Sequence, residues 1–143
     1  MLRKLREHTR EGQGGFSLIE LLIVILIIGV LAAIALPAFL NQREKGQDSS
    51  AKSAARNLVS SIESFYAGSK TYIGAASDPD VQKSGVFGTN NGEADIVDAT
   101  DSSYKIVAKS ASGNRFTISK SGGSITRECT TTNKGSCPSD GTW

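Results

Sequence analysis

Apolar and polar positions divide the chain into stretches of different period. Residues 16–40 are apolar almost without a break, with Ser17 and Glu20 the polar side chains in the run. From residue 41 to about residue 72 the pattern becomes one-sided. Ala51, Ala54, Ala55, Leu58, Val59, Ile62, Phe65 and Tyr66 recur at three- and four-residue steps, while Lys52, Ser53, Arg56, Asn57, Ser60, Glu63 and Ser64 fill the other face. That spacing predicts an amphipathic helix continuing from the apolar one, with Gly68 and Gly74 as stop signals. Beyond it, Asp78-Pro79-Asp80, Ser84-Gly85 and Thr89-Asn90-Asn91-Gly92 read as turns. Alternation then takes over: Tyr104, Ile106 and Ala108, then Phe116 and Ile118, then a short run at 125–129, separated by Ser112-Gly113-Asn114 and Gly122-Gly123. An antiparallel meander follows, with a further strand near Ile96-Val97. The expected fold is α+β. A long N-terminal helix packs its second half on a small sheet, in sections 1–15, 16–40, 41–72 and 73–143.

A 25-residue apolar helix at 16–40 is roughly 37 Å long, enough to cross a hydrocarbon core of about 30 Å. The hundred or so other residues are too few and too polar to cover it, so a membrane segment is expected. Charge sharpens this. The chain has 16 Lys and Arg against 14 Asp and Glu. Arg3, Lys4, Arg6 and Arg10, with Glu7 and Glu11, carry the whole excess, so residues 16–143 balance. A basic N-terminal stretch argues for a cytoplasmic N-terminus, although Arg43, Lys45, Lys52 and Arg56 beyond the span weaken the signal. No basic stripe marks a nucleic-acid site.

The two cysteines, Cys129 and Cys137, lie close together in a polar, turn-rich segment. If bridged, they would close a short loop and place the C-terminal region in an oxidising compartment. Two free thiols are the other reading. The single histidine, His8, lies in the N-terminal stretch, so no metal or cofactor is expected. Asp95, Asp98 and Asp101 fall at turn-like spacing, and such carboxylates ordinarily solvate a loop rather than hold calcium. No P-loop, nucleophile set or paired acid points to an enzyme.

The order of basic stretch, small residues and apolar run carries the most information. A secretory signal places its cleavage site after the apolar stretch; here Gly14-Gly15-Phe16 precedes it. The segment Gly14-Gly15-Phe16-Ser17-Leu18-Ile19-Glu20-Leu21-Leu22 resembles the processing signature of type IV prepilins, a family of pilins, type II secretion pseudopilins and competence pilins. The resemblance implies cleavage between Gly15 and Phe16 by a prepilin peptidase, which also N-methylates the new amine of Phe16.

Glu20 sits where a carboxylate costs about 2.5–3.5 kcal/mol at mid-helix, and less near an end. The resemblance supplies its partner, the Phe16 amine of a neighbouring subunit. Pro37 and Gly29 are the weak points of the helix, and family filaments place an unwound stretch between such positions. The implied partners are other copies in a helical filament, the peptidase and methyltransferase, an inner-membrane assembly platform, and lipid before assembly. The implied location is the cytoplasmic membrane, single-pass with the N-terminus inside, and then a cell-surface filament, whose task among adhesion, twitching motility, DNA uptake and secretion the subunit does not encode. The Cys129–Cys137 loop resembles the disulfide-bounded region of many pilins. Within the family, a structural pilus subunit is the expected role, and a pseudopilin or a minor or competence pilin the alternative.

Overall fold

The computed structural model describes residues 15–143. The charged N-terminal stretch, including Gly14, lies outside the described residues. Helix α1 (Leu18–Ser69) is 52 residues long and runs without a break through Gly29 and Pro37. It ends at Ser69 rather than at a glycine. Gly68 falls inside the last turn, and Lys70 takes the left-handed conformation (φ 60°) that closes it, its N–H donating to Tyr66 O at 2.8 Å. Tyr72, expected as the last helical residue, therefore lies beyond the helix.

The chain forms two compact units, Met1–Pro37 and Ala38–Trp143. In the first, the described residues are a helix whose large apolar side chains are all exposed. The second holds the core. Strands β1 (Ala94–Ala99), β2 (Tyr104–Lys109), β3 (Arg115–Ser121) and β4 (Ser124–Cys129) form an antiparallel sheet in the order β1-β2-β3-β4. Its inner rows run Ala94–Ala108–Phe116–Cys129 and Ile96–Ile106–Ile118–Arg127. Period-two alternation puts Ile106, Ala108, Phe116 and Ile118 on one face, and these are buried together with Ala51, Ala54, Ala55, Leu58 and Ile62 of α1.

Two features departed from the sequence expectation. The stretch expected as loop contains a 3-10 turn (Ala75–Ser77) and a short helix α2 (Pro79–Gln82). Asp78 caps α2, its Oδ1 accepting from the N–H groups of Asp80 and Val81 at 2.9 and 3.1 Å, and Pro79 occupies the first turn, where its missing N–H costs nothing. In β1, the register shifts between Ile96 and Asp98, so Val97 forms a bulge and turns outward. Gly122 (φ 56°) and Gly123 (φ 89°) make the two-residue turn between β3 and β4, where both residues need positive φ.

Candidate functional site

The N-terminal end of α1 collects the processing and assembly residues that the sequence singled out. Gly15 and Phe16 precede the helix and are exposed, Phe16 to 82%. Ser17 precedes the first helical turn, and its Oγ accepts from the N–H of Ile19 at 3.3 Å. Glu20, three residues on, folds back, and its Oε2 accepts from the N–H of Ser17 at 2.9 Å. This is a capping box: two helix-start donors satisfied reciprocally by a Ser-x-x-Glu pair. Sequence reasoning singled out Glu20 by its cost in an apolar span but missed the Ser17 spacing that signals the cap. Glu20 thus has a local hydrogen-bond donor in the single chain, the N–H of the residue that follows Phe16.

Among the described residues nothing requires a glycine at position 15. A Cβ there would meet nothing within 4 Å, and its backbone is outside the left-handed region. Gly29 is likewise free of close neighbours, although a helix-interior glycine costs about 1 kcal/mol relative to alanine. Around Gly29 the surface of Leu22, Ile25, Leu26, Val30 and Ala33 is a shallow apolar groove. The span qualifies as a membrane crossing by length and composition, with a mean hydropathy of 3.1 and none of it buried.

In the second unit, the structure forms the Cys129–Cys137 disulfide, with Cα atoms 5.8 Å apart. The loop it closes is held to α1 by a residue the sequence reading passed over. Asp48 is fully buried and in phase with Ala51, Ala55 and Leu58. Its Oδ1 accepts from Ser110 Oγ at 2.6 Å and from Ser112 Oγ; its Oδ2 accepts from Ser136 N at 2.7 Å and Asn114 Nδ2 at 3.2 Å. Burial pushes this carboxyl upward, but the bonds from Ser110, Ser112, Ser136 and Asn114 outweigh it and hold the pKa below the usual value. Gly135 (φ 59°) passes so close that a Cβ would collide with Asp48 Oδ2. Lys52, one helical turn on, donates to Ser136 O at 2.9 Å. A charged residue within the apolar phase of a stripe was the available signal.

A second polar cluster closes the far end of the core. Lys120 pairs with Glu63 Oε1 at 2.8 Å and donates to Tyr72 OH at 2.6 Å, and Tyr72 OH donates to Glu63 Oε2 at 3.0 Å. Tyr72 stacks on Tyr66 at 4.4 Å and meets Tyr104 edge-on at 4.9 Å. Burial and then Glu63 push the Tyr104 hydroxyl up to about 12. Among the described residues no group of three or more His, Cys, Asp or Glu is placed to hold a metal ion.

These features meet known proteins at both ends of the chain. The family model described as the prokaryotic N-terminal methylation motif matches residues 10–36. A fimbrial protein of Pseudomonas aeruginosa is 31% identical over 140 residues, covering 93% of this chain and 84% of its own length. A type IV major pilin protein of Neisseria gonorrhoeae is 36% identical over 112 residues, 74% of this chain and 62% of its own. A fimbrial protein of Moraxella nonliquefaciens is 54% identical over 52 residues, 36% of this chain and 34% of its own. No solved structure matches. A methylation motif leading into an apolar helix, followed by relatedness along nearly the whole domain, places the chain in the type IV pilin family, whose members are structural subunits.

Proposed function

We propose that the chain is the structural subunit of a type IV pilus, made as a precursor, cleaved between Gly15 and Phe16, N-methylated on Phe16 and polymerised into a surface filament. The observation that carries this reading is the state of residues 16–40. Their large apolar side chains are exposed all round the helix, so the segment needs an apolar environment that its own domain does not provide. Lipid supplies it before assembly, with the N-terminus on the cytoplasmic side, and neighbouring α1 helices supply it afterwards.

The details support one another. The fold makes no demand for glycine at position 15, which leaves the demand to an enzyme that must approach the backbone closely. Cleavage there frees an amine close to the Glu20 carboxylate that already turns back towards Ser17. A neighbouring subunit's amine at Glu20 offsets the cost of a carboxylate in an apolar filament core. Gly29 and Pro37 leave the helix weakest where packing among copies asks for close approach or local unwinding. Peptidase, methyltransferase and a membrane assembly platform are the partners this route needs. The domain contributes a disulfide-closed edge for the filament exterior.

Intact-mass and N-terminal peptide spectrometry on filaments sheared from cells tests the reading. Long filaments whose subunit begins at N-methylated Phe16 are expected. A chain still beginning at Met1 in the membrane, with no filament, would overturn it.

A further inference from the structure

Each edge of the sheet is covered in part by another segment and leaves a stretch of strand uncovered. At β1, the segment around Phe87 covers Ala94, Ala94 N–H donating to Val86 O at 2.8 Å and Gly88 N–H to Ala94 O at 2.9 Å. At β4, the C-terminal segment covers Cys129, whose N–H donates to Gly141 O at 2.7 Å. Ala94 and Cys129 end the same cross-sheet row. At the opposite end, the row Ala99–Tyr104–Lys120–Ile125, Tyr72 N–H donates to Thr100 O at 3.1 Å just past β1, so Asp95 to Asp98 on β1 and Ser124 to Arg127 on β4 are the edge stretches without an outer backbone partner among the described residues.

The uncovered stretches carry exposed apolar side chains with opposite charges around them. Beyond residue 40, the exposed large hydrophobics are Ile73, Val97 and Ile125. Val97 stands out from the β1 bulge at 53% exposure, flanked by Asp95 and Asp98. Ile125 stands at β4 at 50% exposure, where the strand overhangs α1 and leaves a groove of about 200 Å³ lined by Arg56, Val59, Ile118, Ile125 and Arg127. Arg56 and Arg127 both lie on the Trp143 ring, at 5.3 and 6.0 Å from its centroid. Among the described residues neither guanidinium pairs with a carboxylate, and neither Asp95 nor Asp98 pairs with a cation. With Lys52 Nζ at 5.5 Å, three like charges share one aromatic ring on one edge, and the unpaired acids stand on the other.

We propose that the β4 groove receives the β1 bulge of a second copy of this chain, Val97 entering between Arg56 and Ile125 while Asp95 and Asp98 face Arg56 and Arg127. The inference rests on the filament reading and adds the lateral contact between domains. The patches sit on opposite edges of one sheet, about 14 Å apart by three inter-strand steps. The contact is therefore heterologous: each copy uses its β4 edge on one neighbour and its β1 edge on another, and such contacts propagate rather than closing on a two-fold. The bulge at Val97 disrupts the strand edge, so the contact is made by side chains and not by extending the sheet.

Cysteine cross-linking in filaments sheared from a pilus-assembling host tests the contact. Val97→Cys with Ile125→Cys, both at half-exposed positions, should give a ladder of oxidised multimers under denaturing conditions, whereas either single variant gives monomer. Filaments of the double variant that yield no ladder would overturn the contact and leave the filament reading standing. A dimer band from a single variant would overturn it too, because it reports a two-fold interface. Charge reversal supplies the second readout. Arg127→Glu should cut the sheared filament yield several-fold, and Asp95→Arg in the same chain should restore it; loss without restoration would overturn the pairing.

Discussion

Between Phe16 and Pro37 every large apolar side chain is at least 45% exposed, whereas in Ala38–Trp143 Tyr72, Phe116, Leu58 and Ile106 are at most 1% exposed. Leu and Ile occur in both regions, so the difference is one of arrangement. In the first, apolar residues surround the helix; in the second, they keep to one stripe and one sheet face. A stripe asks for one partner layer, and the domain contains it. A helix apolar on all sides asks for partners in every direction, and only a bilayer or other copies can supply them. One chain thus holds a self-sufficient domain and a segment that stays incomplete alone.

Mutations that act on only one side of this divide test it. The largest effect belongs to Glu20→Ala: processing should continue while filaments are lost, with domain stability unchanged. Precursor and filament levels by immunoblot of sheared and cell fractions check this, and normal filaments would break the assignment. Phe116→Ala, at the centre of the domain core, should destabilise it by about 3–5 kcal/mol, measured by denaturant unfolding. Cys137→Ser should cost about 2–3 kcal/mol by opening the short loop, measured in the same way against the oxidised wild type.

Asp48→Asn should cost about 1.5–3 kcal/mol at neutral pH through weakened charge-assisted bonds, with a further signature in acid. Because the folded pKa of Asp48 lies below its unfolded value, the carboxylate's contribution is full above about pH 4 and lost as pH falls towards the folded value. The variant should therefore show a flatter acid limb in a stability–pH profile; an unchanged limb would rule out Asp48 as the carboxylate responsible. The smallest effect belongs to Leu26→Ala, at a position 62% exposed. Domain unfolding should move by less than about 0.5 kcal/mol, and a larger shift in thermal melting would show that the two regions are not independent.

Legibility in the sequence followed the same divide. Period revealed α1's stripe, β2 and β3, because each has one buried face, whereas β4, buried only at Cys129, was signalled by the Gly122-Gly123 turn and the short run after it. β1 was only glimpsed, since its bulge places Val97 and Asp98 outward in succession and breaks the alternation. Helix α2 was read as a turn although Asp78-Pro79 is a helix-start signal. Its four residues are too few for any period to emerge. The helix end was misread because a lysine, not a glycine, takes the left-handed position. Gly15, Phe16 and Glu20 could be singled out because motif order and an acid in an apolar run are local facts. Asp48 was not, because its meaning depends on donors 62 to 88 residues away.

That node also has a mechanical meaning. Asp48 lies ten residues into the second unit, ahead of the whole buried stripe, and grips both the β2–β3 turn and the disulfide loop. A pull entering the domain along α1 reaches this carboxylate before it reaches Ala51 or Leu58. Several short polar bonds loaded together resist such shear better than apolar contacts, which slide. Asp48 is thus placed as a rivet would be, where tension between the helix and the covalently closed loop would be shared before the core is strained.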